Sequence, residues 1–426
     1  MRKAFAKKVA NSFTRSKTFR STAEASAGSS ASVADVSQSN HSAAASHNLR
    51  EVSVRLDDYL ERVDLSAGEV EIDVVSMSRQ IEKVQSYQNG LLPDSVGPIP
   101  ISERELSLIK LGAWSAKAVY GPGRVGEVDA PEEFSDYQPT AYRQDIGASL
   151  LDGTVKATCV QLFSSHAEKV APKLLVIAIR GSTSKRKDWT VNFDDMGTGT
   201  DGDGRGSFID TAQNSETRSF QVHGGFLACA KAMADKVSGA VSSVLSDAEK
   251  EEPATEIQLL FTGHSAGGAV ASLLYAHMMS KNSSPLTDLS SSHFSPILSE
   301  FRSIDCVVFG SPPVSKPGLD TYGTEHSTFL SIINEGDPVP RIDKDYIETL
   351  LLLYISPMPA FPVHRDLPPM RLDTAGTILF LKDGQPGFCA VAEDDSQKGI
   401  KNVLATTIFG NPRAHKMDIY LVKLGL

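Results

Sequence analysis

Gly263-His264-Ser265-Ala266-Gly267 lies between the apolar run Ile257-Gln258-Leu259-Leu260-Phe261-Thr262 and the helix-like segment Gly268-Ala269-Val270-Ala271-Ser272-Leu273-Leu274-Tyr275. This is a G-x-S-x-G pentapeptide with a strand before it and a helix after it, the context that a nucleophile elbow requires. A strand that turns at once into a helix forces its turn residue into strained φ/ψ, and flanking glycines remove the Cβ groups that would clash there. Ser265 is expected at the carboxyl edge of a sheet and the amino end of a helix. There the backbone N–H of Ala266 can donate to a developing oxyanion.

The chain to either side alternates between strand and helix patterns. Ser102 to Tyr120 reads as a helix with Ser102-x-x-Glu105 as its capping box, interrupted by Gly112, which costs about 1 kcal/mol against Ala. Val155 to Phe163 alternates as a strand. Leu174 to Ile179 is continuously apolar, as expected of a strand covered on both faces, and ends in Arg180-Gly181-Ser182-Thr183. Val222-His223-Gly224-Gly225-Phe226 opens a helix to about Leu245. Further strands are expected at Cys306 to Gly310, Phe329 to Asn334, Ile378 to Leu381 and Ile419 to Val422. Such alternation predicts a mostly parallel sheet with flanking helices, whose chemistry gathers at the carboxyl ends of the strands.

A serine hydroxyl is a poor nucleophile at neutral pH, so a base must take its proton and a third group must orient that base. Asp337 follows the strand 329–334 directly and is the first candidate for the orienting acid. Asp320 is second, and Asp305 precedes its strand at the wrong end. His415, in Asn411-Pro412-Arg413-Ala414-His415, is the first candidate base and His364 its competitor. His277, His293 and His326 are less well placed, His277 because it falls inside the elbow helix. Gly181-Ser182 is positioned to supply a second oxyanion donor beside Ala266.

Five segments in order resemble the class 3 (fungal-type, Rhizomucor-like) lipase family: the strand into Arg180-Gly181-Ser182, Asp188-Trp189, Val222-His223-Gly224-Gly225-Phe226, Gly263-His264-Ser265-Ala266-Gly267, and Gly336-Asp337-Pro338-Val339-Pro340. The resemblance covers roughly residues 102–426 and implies an α/β-hydrolase fold acting on carboxylic esters of lipids. It implies Ser265 as nucleophile, Asp337 as orienting acid, His415 as base, and Ser182 with Ala266 as oxyanion hole. The family places its lid after Ser182, and here residues 183–206 combine Lys185-Arg186-Lys187 with Trp189, Val191 and Phe193. That mixture suits peripheral contact with a membrane or lipid-droplet surface. The substrate is expected to be a tri- or diacylglycerol or a phospholipid. A catalytically inactive interaction protein on the same fold is the alternative.

The 426 residues, 41% hydrophobic and 22% charged, are those of a globular protein, and a net charge of −10 argues against nucleic-acid binding. Residues 1–48 are expected to form a disordered tail, basic over residues 1–20 and Ser/Ala-rich after that. Residues 49–100 are expected to form a helical extension packing on a catalytic domain at 101–426. The basic tail also fits an organellar presequence or a helix lying on an anionic membrane. Cys159, Cys229, Cys306 and Cys389 lie far apart in apolar runs and read as buried free thiols. With no secretory signal pattern and no disulfide framework, the expected location is intracellular, cytoplasmic or membrane-peripheral. Gly197-x-Gly199-x-x-Gly202 lacks the strand and helix of a dinucleotide site. Asp201 to Gly206 lacks the oxygen ligands of a calcium loop, with Arg205 and Ala212 at ligand positions. No metal and no cofactor are expected.

Overall fold

The computed structural model describes residues 70–121, 137–149, 154–165, 172–182, 199–200, 208–209, 221–251, 256–280, 294–320, 327–391 and 396–426, all within one unit spanning 49–426. The expected tail at 1–48, the first part of the helical extension at 49–69 and nearly all of the expected lid segment lie outside these residues.

The apolar runs seen in the sequence become the middle of a nine-stranded sheet. Its strands are β1 (Val96–Ile99), β2 (Tyr137–Ile146), β3 (Thr158–Ser165), β4 (Lys173–Ile179), β7 (Ile257–His264), β8 (Phe301–Phe309), β10 (Phe329–Asn334), β11 (Thr377–Leu381) and β12 (Phe388–Val391). They lie in the order β1-β12-β11-β10-β8-β7-β4-β3-β2. The five central strands, β4, β7, β8, β10 and β11, run parallel, while both ends of the sheet continue antiparallel. A small second sheet joins β5 (Gly199–Thr200), β6 (Gln221–Val222) and β9 (Ser315–Lys316). This is a mixed α/β sheet with flanking helices, and its parallel centre is the arrangement that the alternation of strands and helices predicts.

Alternation along each central strand divides its side chains between two cores. Leu175, Ile177 and Ile179 of β4 face one, together with Leu259 and Phe261 of β7. Leu174, Val176 and Ala178 face the other, together with Leu260. The first core is closed by α3 (Gly224–Glu251) and α4 (Ala266–Ser280), the second by α2 (Glu103–Ala118) and α7 (Met417–Lys423). Each fully covered large apolar side chain contributes about 1.5–3 kcal/mol by leaving water. β4 and β7 are therefore fixed from both sides, and a one-residue slip of the strand carrying the elbow would send each side chain into the opposite core.

Ser102 caps α2 as expected, its hydroxyl accepting from Glu105 N while Glu105 Oε2 accepts from Ser102 N at 3.1 Å. Gly112 sits where α2 crosses the elbow strand. A Cβ there would lie 3.1 Å from Thr262 Oγ1, and that hydroxyl donates to the Gly112 carbonyl at 3.1 Å. The glycine that weakens the helix on its own permits this close approach.

Two expectations need correction. Ile419 to Val422 is not a strand but part of the helix α7. Its contacts follow the helical period: Met417, Tyr420, Leu421 and Leu424 enter the second core, whereas Val422 is exposed. A four-residue apolar run fits either period, and only the packing partner decides. Conversely, Val96–Ile99, inside the expected helical extension, is the edge strand β1 paired with β12. It follows α1 (Val70–Gln85), whose end packs through Val84 against α5 (Lys344–Ile355). α6 (Ser396–Thr406) covers the β11–β12 end through Val403 and Leu404. The helix opened by His223 runs to Glu251, beyond the expected Leu245, because Val237, Val241, Val244 and Ala248 extend its buried stripe.

All four cysteines are buried and free. Burial pushes the Cys159 thiol up to about 12 and raises those of Cys306 and Cys389. Among the described residues, no helix is long and apolar enough to cross a membrane.

Candidate active site

Ser265 has φ of 57° and is the one non-glycine residue with positive φ among those described. That left-handed conformation is costly for a residue with a side chain and persists only where its surroundings enforce it. Here the enforcement is steric. A Cβ on Gly263 would lie 2.5 Å from the Gly267 carbonyl carbon, and one on Gly267 would lie 2.7 Å from the backbone of Arg180. A side chain on Gly181 would run into the His264 carbonyl oxygen at 2.5 Å and Ser265 Cβ at 3.2 Å. The end of β4 is thus pressed directly against the elbow. Ser265 N–H donates to Phe309 O on the other side at 3.0 Å, so the turn is clamped between β4 and β8. Ala266 opens α4, leaving its N–H without an intrahelical acceptor. Ser182 follows Gly181 along the same edge and is half-buried.

Two loops on that edge bring Asp337 and His415 together. Asn334 ends β10, and its side-chain nitrogen donates to the Ala414 carbonyl at 2.8 Å. Asn411 N–H donates to Gly336 O at 2.8 Å, where Gly336 takes a φ of 84°. A Cβ at position 336 would press on Asn411 Cβ at 3.0 Å, so the glycine allows the two loops to meet. The outcome is a bond from His415 Nδ1–H to Asp337, with its oxygens at 3.0 and 3.1 Å.

Asp337 is fully buried and accepts two further bonds, from Val339 N–H at 2.9 Å and from the Tyr420 hydroxyl at 2.6 Å. Tyr420 in turn accepts from Asn334 N–H at 3.1 Å. Burial and the adjacent Asp337 carboxylate push the Tyr420 hydroxyl well above its usual range, so it stays a donor. Gly310, with φ of 51°, ends β8 beneath the pair; a Cβ there would reach Asp337 Oδ2 at 2.6 Å and His415 Nδ1 at 3.0 Å.

The sequence candidates thus occupy one sheet edge. Asp337 and His415 are hydrogen-bonded, and the ring of His264, next to Ser265, stacks on that of His415 at 4.5 Å. No hydrogen bond joins Ser265 to His415 themselves, an engagement that in an unliganded site commonly forms only with substrate. The competitors lie elsewhere. His364 is exposed, 3.8 Å from Asp366, and Asp320 is exposed. His277 is buried against Phe208 in α4. Asp305 is buried within β8, four residues or roughly 13 Å before Phe309. It accepts from Arg104 at 2.6 Å and from Thr328 N–H at 2.8 Å; burial raises its proton affinity and Arg104 opposes that. His293 and His326 lie outside the described residues. Among the described residues, no cluster of three or more His, Cys, Asp or Glu could hold a metal ion.

Sequence reasoning missed Tyr420, Asn334, His264 and Tyr120. Tyr420 falls in the expected strand 419–422 and Tyr120 at the end of the expected helix 102–120. The bond between Tyr120 and His264 spans 144 positions, which no local pattern reports.

Residues 176–346 match the class 3 lipase family. No curated protein matches the chain. Among solved structures it is similar to the lipase from Rhizopus microsporus var. chinensis, with 17% identity, 76% of this chain and 92% of that one covered, and a TM-score of 0.39. The corresponding values for the triacylglycerol lipase from Penicillium expansum are 15%, 73%, 92% and 0.39. For the Lip2 lipase from Yarrowia lipolytica they are 15%, 74%, 94% and 0.40. The match to the class 3 lipase family lies in the segment 176–346, which runs from β4 across the elbow and Asp337 into α5.

Proposed function

We propose that the protein hydrolyses carboxylic esters of lipids through an acyl-enzyme on Ser265. The observation that carries this reading is the hydrogen-bonded Asp337–His415 pair on the same sheet edge as a serine held in the left-handed conformation. His415, with its proton on Nδ1 bound to Asp337, presents a bare Nε2 as the base. It takes the Ser265 proton as Oγ attacks the ester carbonyl, and the carbonyl electrons move onto oxygen. The N–H groups of Ala266 and Ser182 receive that oxyanion. Collapse expels the alcohol, which takes the proton from His415. Water, deprotonated by the same nitrogen, then releases the fatty acid and regenerates Ser265.

The class 3 lipase match over residues 176–346 supports a lipid ester as substrate; a meeting with that substrate at a membrane or lipid-droplet surface inside the cell is part of the same proposal. Fluorophosphonate labelling tests the chemistry: wild type is expected to label and Ser265→Ala to stay blank. Labelling that persists in Ser265→Ala, or is absent from both, would overturn the assignment. A panel of triacylglycerol, diacylglycerol and phospholipid substrates then identifies the head group.

A further inference from the structure

The proposed chemistry uses one histidine, but the site contains two. His264 ends β7, is 7% exposed, and stands between the oxyanion strand and His415. Its Nε2 lies 2.7 Å from the backbone carbonyl oxygen of His415, and its Nδ1 lies 3.1 Å from the hydroxyl of Tyr120. A carbonyl can only accept, so Nε2 carries the hydrogen. A neutral ring with its proton on Nε2 has a bare Nδ1, which accepts from the Tyr120 hydroxyl. The His415 carbonyl thus selects the tautomer, and the Tyr120 hydroxyl completes it. Tyr120 is itself tightly placed, since its hydroxyl occupies the space a side chain on Gly181 would need.

The two imidazoles stack with centroids 4.5 Å apart and planes 30° from parallel. His415 becomes a cation each time it takes the Ser265 proton, so a charged neighbour at that distance would oppose the step. Burial first, and the positive charge of His415 second, hold His264 well below the usual histidine range, with Lys117 acting in the same direction. The groups facing His264 are Lys117 on α2, Tyr120 just beyond it, His415, and Tyr420 of α7 at 6.0 Å, with Asp337 behind His415.

We propose that His264 is a positioning residue for the reaction assigned to Ser265. Held by the His415 carbonyl in the Nε2–H tautomer, with Tyr120 donating to its Nδ1, it suspends His415 from that carbonyl and lays an uncharged ring face against the base. This rests on the reading of the site as a serine ester hydrolase. The hydrogen bond to the backbone places His415, whereas the bond that His415 Nδ1–H donates to Asp337 turns its ring. The two constraints are independent, and together they fix the imidazole in both position and rotation.

The test uses the full chain and p-nitrophenyl butyrate, a soluble ester, comparing wild type with Ser265→Ala, His264→Phe, His264→Gln and Tyr120→Phe. His264→Phe keeps a flat ring but leaves the His415 carbonyl without its donor. It is expected to lower kcat roughly tenfold to a hundredfold with KM changed less than about twofold. His264→Gln places an amide nitrogen near the same carbonyl and is expected to recover most of that loss. Tyr120→Phe is expected to lower kcat only a few-fold. In ring-nitrogen NMR of the Ser265→Ala protein, His264 should show one Nε2–H tautomer from about pH 5 to about pH 9.

Ser265-dependent hydrolysis that His264→Phe leaves at the wild-type kcat overturns the inference, as does titration of His264 or an Nδ1–H tautomer in that range. Equal losses in Tm and kcat for the Phe and Gln variants, with no rescue by Gln, would reduce His264 to a structural role and overturn it too. Hydrolysis that survives in Ser265→Ala would bring down the ester-hydrolase reading and this inference with it.

Discussion

The two halves of the candidate site are built in opposite ways. The elbow half, residues 257–280 with the end of β4, is backbone pressed on backbone, and glycines at 181, 263 and 267 permit contacts no other residue would. The acid–base half is a clasp of side chains: Asn334 to Ala414, Tyr420 to Asp337, and His415 to Asp337. Hard-core repulsion fixes the first, so its geometry has no soft direction. Directional bonds hold the second, so it can loosen one bond at a time.

Substitutions that break one half and spare the other would sharpen this contrast. The largest expected effect is that of Asp337→Asn, which removes the acceptor that sets the His415 tautomer. kcat on a soluble ester should fall about 10⁴-fold while the fold survives. Gly267→Ala should act through stability instead. Its methyl would meet backbone of Arg180 and Gly181 at 2.7 and 2.8 Å, with no flexible side chain to yield. A loss of about 3 kcal/mol in denaturant unfolding is expected. A near-wild-type midpoint would show that the elbow is softer than its contacts imply.

Tyr420→Phe strips Asp337 of one donor and leaves Asn334 N–H without its acceptor. We expect it to cost about 1–3 kcal/mol of stability by calorimetry and to lower kcat roughly tenfold. An unchanged kcat would mean that the His415 bond and Val339 N–H suffice to hold the carboxylate. The smallest effect concerns acid. In the unfolded chain His264 takes up a proton as pH falls below about 6.5, the ordinary histidine value, whereas burial keeps it neutral well below that in the folded one. The unfolded state then binds more protons, so this histidine makes stability fall as pH drops below 6.5, by at most about 1.4 kcal/mol per unit. His264→Gln should flatten that part of the stability–pH curve.

The same contrast explains what the sequence discloses. The elbow, the apolar strand into Gly181-Ser182 and the strand that delivers Asp337 are contiguous patterns, each readable because local sterics and local burial impose it. His415 could be ranked ahead of His364 only by its place near the end of the chain. What brings it beside Asp337 is Asn334 reaching Ala414 and the bond between Asp337 and its ring across 78 positions. Such pairings are made by the fold, and residue order carries no trace of them. The misread segment at 419–422 has the same origin. Ile-Tyr-Leu-Val satisfies both periods, and the second core selected the helix by taking Met417, Tyr420 and Leu424.

The four buried cysteines carry a consequence for watching this molecule open. A thiol raised to about 12, as at Cys159, is ionised to only about one part in ten thousand near pH 8. Cys159 lies in β3 and Cys306 in β8, so two of these silent sulfurs sit in separate strands of the same sheet. Their alkylation rates therefore record how often each part of that sheet parts from its neighbours. The chain carries its own clocks for local and global opening, and they need no added label.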